Sequence, residues 1–278
     1  MHTKILNLSM ENLITKIAFV AAKYLDSNSV SNEVLLKKNN NSRDVVTELD
    51  YLLNENIKKV ILEEISNALI LSEEDEICNK SNYFKDLTFV IDPLDGSQNF
   101  SLGFPFYSSL VAAIENNKII ASAAVSSFNE QMIIWDKVNG LKSNFQNVKS
   151  KSISPSYFAY SPIKTSLNDD FIYKIIRNID KHSSGIYRWG SASNGILELL
   201  NGRIQSFIGY EIRIWDCLAF LPILLNAGIN SAFYIEGMNM TLIASSDIKH
   251  YESLKKTFEK NNIYLKDYSS VEVSIKNE

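Results

Sequence analysis

Cysteine is nearly missing from this sequence. Only Cys78 and Cys217 occur in 278 residues, far apart and in no metal-ligand spacing. That excludes a disulfide framework and suits a reducing compartment. The three histidines, His2, His182 and His250, have no partners at ligand spacing, so no His or Cys cluster competes for a metal. Long apolar runs are missing as well. The two charge-free stretches of 19 residues, Gly96–Ile114 and Cys217–Ile235, are broken by Ser, Asn, Gly and Pro, which excludes a membrane-spanning helix. The first residues are interrupted by Glu11 and Lys16 and hold no apolar core of signal-peptide length. Excess positive charge is absent: 28 basic against 32 acidic residues give a net charge of −4, with no footprint for non-specific nucleic-acid binding. The ten glycines, with heavy use of Asn, Ile and Lys, read as compositional bias. These absences predict a cytoplasmic protein with no nucleic-acid or membrane partner.

What is present is an ordinary globular composition, 45% hydrophobic and 22% charged, in a chain long enough for one large domain or two fused ones. Met10, Leu13, Ile14, Ile17, Ala21 and Tyr24 follow helical spacing, and so do Leu49, Leu53, Ile57, Val60 and Ile61 after Asp44 and Thr47. Between them lies a polar loop, Lys37 to Arg43. Ala68–Leu71 and Leu87–Ile91 read as buried strands. Tyr107–Ile114 and Lys118–Ser126 read as a hairpin turning at Glu115-Asn116-Asn117, followed by a strand at Glu130–Trp135. Lys142–Ser156 is Ser- and Lys-rich and marks a boundary between two halves. Beyond it helices are expected at Asp169–Ile179, Ser191–Leu200 and Asp216–Leu225, with strands at Arg203–Ile208 and Thr241–Ala244. The mixture predicts an α+β layered sandwich.

Acids stand where local structure has no use for them. Asp92 and Asp95 fall three residues apart after an apolar strand, around a proline that restrains the backbone. Such a turn can aim both carboxylates and the Leu94 carbonyl at one point. Gly96 permits close backbone approach, and Ser97 can open a helix with outward N–H groups. Carboxylates for a hard cation beside free N–H groups for an anion make a metal-plus-phosphate site. Glu73-Glu74-Asp75-Glu76, Asp216 after Trp215, and Asp50 in Thr47-Glu48-Leu49-Asp50 add three further carboxylate elements. Singly, each reads as a solvated loop, a helix-end acid or a surface acid. Together they supply what two-metal phosphoryl transfer requires, and all-oxygen ligation selects Mg²⁺ or Mn²⁺.

The motifs Asp44–Asp50, Ser72-Glu73-Glu74, Val90–Phe100, Gly103-Phe104-Pro105-Phe106, Gly190-Ser191-Ala192 and Trp215-Asp216 resemble the inositol monophosphatase family, Mg²⁺-dependent, lithium-sensitive phosphatases related to fructose bisphosphatase. The resemblance implies an α-β-α-β-α sandwich, one domain over residues 1–278 with subdomains 1–145 and 146–278, and a homodimer. It implies a first metal held by Glu73, Asp92 and the Leu94 carbonyl, a second among Asp92, Asp95 and Asp216, and a third sharing Glu73 with water. Gly96 and Ser97 would bind phosphate, and Ser97, positioned through Asp50, would help activate the attacking water, with Glu73 in the catalytic group. Substrate contacts would come from Asp95, Ala192 and Asp216. Glu211 joins them if a gap brings it to the position that an ungapped match gives to Gly209. Li⁺ and Ca²⁺ are the implied inhibitors.

The implied substrate is a sugar or cyclitol phosphate such as myo-inositol 1-phosphate. The alternatives are a 3′(2′),5′-bisphosphate nucleotidase, a histidinol-phosphate or fructose-bisphosphate phosphatase, and, in another class, a regulatory binding protein on the same fold. Three departures from the family pattern stand out: Ser97 for Thr, Ser72 for Gly, and the bulky Cys217-Leu218-Ala219-Phe220 after Trp215-Asp216.

Overall fold

Two apolar helical stripes and a run of strands buried on both faces build the N-terminal half. The computed structural model describes residues 2–26, 30–37, 45–75, 83–144, 157–160 and 169–268. Helices α1 (His2–Leu25) and α2 (Glu48–Glu64) lie together on one face of a six-stranded sheet. Its strands run in the order β3 (Leu69–Ser72), β4 (Thr88–Asp95), β5 (Ser108–Glu115), β6 (Lys118–Ser126), β7 (Gln131–Asp136) and β8 (Gly140–Ser143). Only the β3–β4 pairing is parallel. A small ribbon, β1 (Val34–Lys37) with β2 (Val45–Thr47), precedes α2.

The period of two sorts the sheet's residues between two cores. Phe89, Ile91, Val111 and Ala113 join Leu13, Ile17, Leu53 and Ile57 of the two helices. Val90, Leu110, Ala112 and Ile114 enter a second core on the opposite face. That second core is filled by α5 (Ala192–Leu200) and α6 (Phe220–Asn226), and closed by Phe207, Phe233 and Leu242 of another sheet. This second six-stranded sheet runs in the order β10 (Ile186–Tyr187), β9 (Tyr157–Tyr160), β11 (Ser206–Arg213), β13 (Asn239–Ser245), β12 (Asn230–Glu236) and β14 (Lys266–Asp267). On its far side Ile208, Tyr210 and Ile243 pack against α4 (Asp169–Asp180) and α7 (Ile248–Glu259). The three cores stack as an α-β-α-β-α sandwich, an α+β fold. At about 1.5–3 kcal/mol per large side chain removed from water, the central core holds the two sheets in fixed relation.

Several boundaries differ from the sequence reading. The helix expected from Asp216 begins instead at Phe220; Asp216 ends a 3₁₀ turn, Ile214–Asp216, and Cys217 leaves helical geometry at φ −135°. The cause is local, because the Asp216 carboxylate accepts the Arg213 N–H at 3.2 Å and closes a tight turn. The strand expected at Arg203–Ile208 starts at Ser206, and Arg203 pairs instead with Glu198 at 2.6 Å. The hairpin turn falls as expected: Asn116 and Asn117 take φ of 52° and 59°, the left-handed conformation of a two-residue connection. Asp44, Glu76, Cys78 and most of the two polar linkers lie outside the described residues. Among the described residues, no helix is long and apolar enough to cross a membrane.

Candidate active site

The centre of the site is the last turn of β4. Residues three apart on an unbroken strand point to opposite faces, yet Asp92 and Asp95 do not. Asp92 pairs with Leu110 and Asp95 with Ser108, so one residue fewer separates the partners on β5 than the acids on β4. The register slips where Pro93 lacks an N–H, and the bulge returns both acids to one side. Gly96 follows at φ +96°, where a Cβ would come within 2.6 Å of the Phe106 carbonyl oxygen, so only glycine fits. Helix α3 (Ser97–Ser101) then starts, anchored by the Asn99 amide, which donates to Phe106 O at 2.7 Å and Trp189 O at 2.6 Å.

Three separate chain segments bring acids to this turn. Glu73, Asp92 and Asp216 each offer a carboxylate oxygen within 4.8 Å of the others. Asp92 is 1% exposed, and neither of its oxygens has a hydrogen-bond partner among the described residues. Burial, then the charges of Glu73, Asp95, Asp216 and Glu74, push its carboxyl well above the ordinary range. Asp216 is raised too, by burial and by Asp95 and Glu73, against weaker opposition from Arg213. A buried carboxylate left unpaired costs several kcal/mol. The donor set is all oxygen, converges on one point and leaves two buried oxygens without partners. These residues fit a hard divalent cation.

Asp95 is arranged differently, although burial raises it as well. Its Oδ2 accepts the Ser193 N–H at 2.7 Å, the Ser191 hydroxyl at 2.8 Å and the Ser193 hydroxyl. The N-terminus of α5 thus points at a carboxylate, the favoured direction for the helix dipole.

Asp50 and Ser97 form a second group. Asp50 Oδ2 accepts Thr47 N at 2.7 Å and Thr47 Oγ1 at 2.6 Å, capping α2, while Ser97 Oγ lies 2.6 Å from Asp50 Oδ1 and 2.8 Å from Leu94 O. A hydroxyl has one proton, and the carboxylate is the stronger acceptor. Burial outweighs these hydrogen bonds and raises the Asp50 carboxyl to about 6.

Ser72, the departure before the Glu pair, uses its hydroxyl: Oγ donates to Asn54 Oδ1 at 2.8 Å and latches the Glu73 loop to α2. Lys58, at 2.8 Å from Asp75, holds the same loop. The segment 217–220 is fully packed in the central core, and burial with three nearby acids pushes the Cys217 thiol up. Ala192 opens α5 and is fully buried. Gly209 faces a filled space, since a Cβ there would lie 2.5 Å from Ile212 Cδ1 and 3.1 Å from Phe207 Cε1. Glu211 sits at φ +51° in a bulge opposite Thr241, half-buried, its N–H on Thr241 Oγ1 at 3.3 Å. Ser193, Asn194 and Asn54 are contacts that motif reading passed over. Their one signal is polar residues facing inward from otherwise apolar helices.

An oxygen-only cation cradle beside a glycine-opened turn, on this five-layer sandwich, defines a metal-dependent phosphatase. The sequence profile of the inositol monophosphatase family matches residues 3–262. An inositol monophosphatase of Dictyostelium discoideum is 26% identical over 212 residues, 70% of this chain and 77% of its own length. A fructose-1,6-bisphosphatase/inositol-1-monophosphatase of Aquifex aeolicus is 27% identical over 231 residues, 79% of this chain and 86% of its own. The solved structure of a Thermotoga maritima IMPase shares the fold at a TM-score of 0.69 and 23% identity, covering 93% of this chain and 98% of that one. The chain belongs to the inositol monophosphatase family and is a phosphoric monoester hydrolase.

Proposed function

We propose that the protein is a Mg²⁺-dependent phosphomonoesterase acting on a small sugar or cyclitol phosphate of the myo-inositol 1-phosphate class. The observation that carries the reading is Asp92, whose two buried, unpartnered oxygens stand among Glu73, Asp95 and Asp216. Glu73, Asp92 and the Leu94 carbonyl would hold one ion, and Asp92, Asp95 and Asp216 another, with Glu73 shared by a third. Bound Mg²⁺ supplies charge neutralisation of the phosphate and of the leaving oxygen, and a more acidic water.

The chain's own residues do the rest. The Gly96 and Ser97 N–H groups receive a phosphate oxygen. Ser97 Oγ takes a proton from the attacking water while its own passes to Asp50 Oδ1. A carboxyl near 6 is ionised at neutral pH yet basic enough to accept that proton. Water oxygen bonds to phosphorus, the ester P–O bond breaks, and the leaving alkoxide is protonated by solvent, giving inorganic phosphate and an alcohol.

Selectivity rests on β11. The crowding of Gly209 by Ile212 and Phe207 supports Glu211 as the carboxylate acceptor on this strand. The exposed apolar side chains of Leu102, Phe104 and Tyr187 support the homodimer reading. Buried, unpaired Cys217 accords with a reducing cytoplasm. The central core shared by both sheets favours one domain with subdomains 1–145 and 146–278.

The test is phosphate release from a panel: inositol 1-phosphate, glycerol 2-phosphate, adenosine 2′-monophosphate, adenosine 3′,5′-bisphosphate, histidinol phosphate and fructose 1,6-bisphosphate. Preference for one of the last three moves the substrate class. Release from none of them supports the binding-protein alternative.

A further inference from the structure

The turn that carries Glu73 is tied at both ends to one side chain of α2. Before it stands Ser72, one of the departures from the family pattern. Its buried hydroxyl donates to Asn54 Oδ1 at 2.8 Å and accepts the Glu74 N–H at 3.4 Å. After it stands Asp75, whose Oδ1 accepts Lys58 Nζ at 2.8 Å and, in a longer contact, Asn54 Nδ2 at 3.5 Å. An ionised carboxylate only accepts, so Nδ2 has to face Asp75, and Oδ1 is left for Ser72. The buried Asn54 amide thus closes a clasp around Glu73-Glu74.

Other bonds in the turn do less. Glu73 N bonds Ile91 O at 3.1 Å and extends the pairing of β3 with β4, while Asp75 N reaches Ser72 O at 3.3 Å. Lys58 brings a charge to Asp75 but has no acceptor to offer Ser72. Among the described residues, Asn54 is the one side chain bonded to both ends. It lies one turn after Asp50 on the same face of α2, with Lys58 one turn further on. Asp50 Oδ1 receives the Ser97 hydroxyl at 2.6 Å. One polar stripe of α2 therefore grips both the Glu73 turn and the hydroxyl that opens α3.

We propose that Asn54, acting with Ser72, is a positioning residue for Glu73: the clasp fixes the Glu73 turn in the empty protein, so that a divalent cation meets its carboxylate already facing Asp92 and Asp216. The cation rests on the phosphatase reading above. The clasp goes beyond it, because it is built from a serine that the family pattern lacks. A ligand group whose place is set beforehand costs less ordering when the ion arrives, so loss of the clasp weakens affinity. The bond to Ile91 and the Lys58 pair survive that loss, which keeps the effect partial.

Protein stripped with EDTA is titrated with MgCl₂ by calorimetry as wild type, Ser72→Ala, Asn54→Leu and the double variant. Each single substitution lowers Mg²⁺ affinity by about three- to tenfold, up to the lower end of the range for losing a partner that orients a ligand. The double variant is no weaker than Asn54→Leu, because the two side chains act as a unit. A role in fold stability alone would lower Tm and leave the affinity in place. Hydrogen exchange of the metal-free proteins reads the clasp without an ion: the Glu74 and Asp75 amides exchange about tenfold faster in Ser72→Ala than in wild type. If Asn54→Leu does not fold, the milder Ser72→Ala carries the test through affinity and exchange together.

Wild-type Mg²⁺ affinity in either single variant overturns the proposal. Losses that simply add in the double variant overturn it as well, and so does unchanged exchange at Glu74 and Asp75. Calorimetry needs no turnover, so a wild type that binds Mg²⁺ and cleaves no ester refutes the phosphatase reading while the affinities still decide the role of Asn54.

Discussion

Replacing Asp92 by asparagine should weaken the enzyme and strengthen the empty protein at the same time. In the metal-free protein the Asp92 carboxyl is buried, has no hydrogen-bond partner among the described residues and faces four other acids, so its ionised form is strained. The asparagine side chain keeps the shape and removes the charge. An unsatisfied buried polar group costs about 1–3 kcal/mol, and more when charged, so relief of about 1–3 kcal/mol is expected. In a protein of this size each kcal/mol moves Tm by roughly 2–4 °C, giving a rise of about 2–12 °C.

The effect has a pH signature. The folded-state pKa of Asp92 lies above its unfolded value, so the folded wild type binds more protons than the unfolded chain through that window. Its stability therefore falls as pH rises from the ordinary carboxylate range upward, and the advantage of Asp92→Asn grows with pH. Saturating Mg²⁺ reverses the order: at 100 times Kd the wild type gains about 2.7 kcal/mol, and a variant lacking the shared carboxylate gains less. Thermal melts at pH 6, 7 and 8, in EDTA and in Mg²⁺, measure all of this. A wild type more stable than Asp92→Asn in EDTA at pH 8 would refute the reasoning.

Other outcomes follow from the same geometry. Ser97→Ala should lower kcat by about 10²–10⁴ and move KM less, because the backbone N–H survives; steady-state kinetics that show mainly a KM effect would contradict the proton relay. With Asp50 near 6, kcat should decline on the acid side of about pH 6, and Asp50→Asn should flatten that limb while lowering the plateau, as a pH–rate profile reads directly. Glu211→Gln should raise KM for inositol 1-phosphate and leave glycerol 2-phosphate nearly unchanged if Glu211 reaches a ring hydroxyl; equal changes on both esters would remove it from the pocket. Gly96→Ala should unfold the turn or cost about 1–3 kcal/mol in a denaturant melt, given its φ of +96° and the 2.6 Å approach of Phe106 O. High Ca²⁺ should inhibit, since its longer and more variable coordination suits in-line displacement poorly, and Ca²⁺-supported turnover equal to that with Mg²⁺ would refute this.

The legible parts of the fold were those written in local period. The stripe from Met10 to Tyr24 and the apolar run at Leu87–Ile91 specify elements that bury their own faces. The hairpin at Asn116-Asn117 announces itself through residues that tolerate positive φ. Strand β12 was hidden inside the uncharged Cys217–Ile235 stretch, where no charge or alternation marks its face. The two-residue strands β10 and β14 are held by their partners and carry no signal of their own. Helix α6 starts late because a side-chain bond at Asp216 overrides the apolar pattern.

In the site, the acids were visible as charges out of place, and the proline turn was read as aiming Asp92 and Asp95 at one point, yet the register slip that does so was not legible. Spacing alone sends Asp92 and Asp95 to opposite faces, and only the bulge at Pro93 brings them together. Likewise Ser193 looks like any polar residue at a helix start until α5 docks against β4.

The measurement closest to the central claim is phosphate release from inositol 1-phosphate by the purified protein. It is run after EDTA stripping, with Mg²⁺ restored, in wild type and Asp92→Asn side by side. The account predicts no turnover in EDTA, full recovery with Mg²⁺ in the wild type, and a loss of at least about a hundredfold in Asp92→Asn at saturating Mg²⁺. Metal-independent turnover, or near wild-type rates in Asp92→Asn, would contradict it.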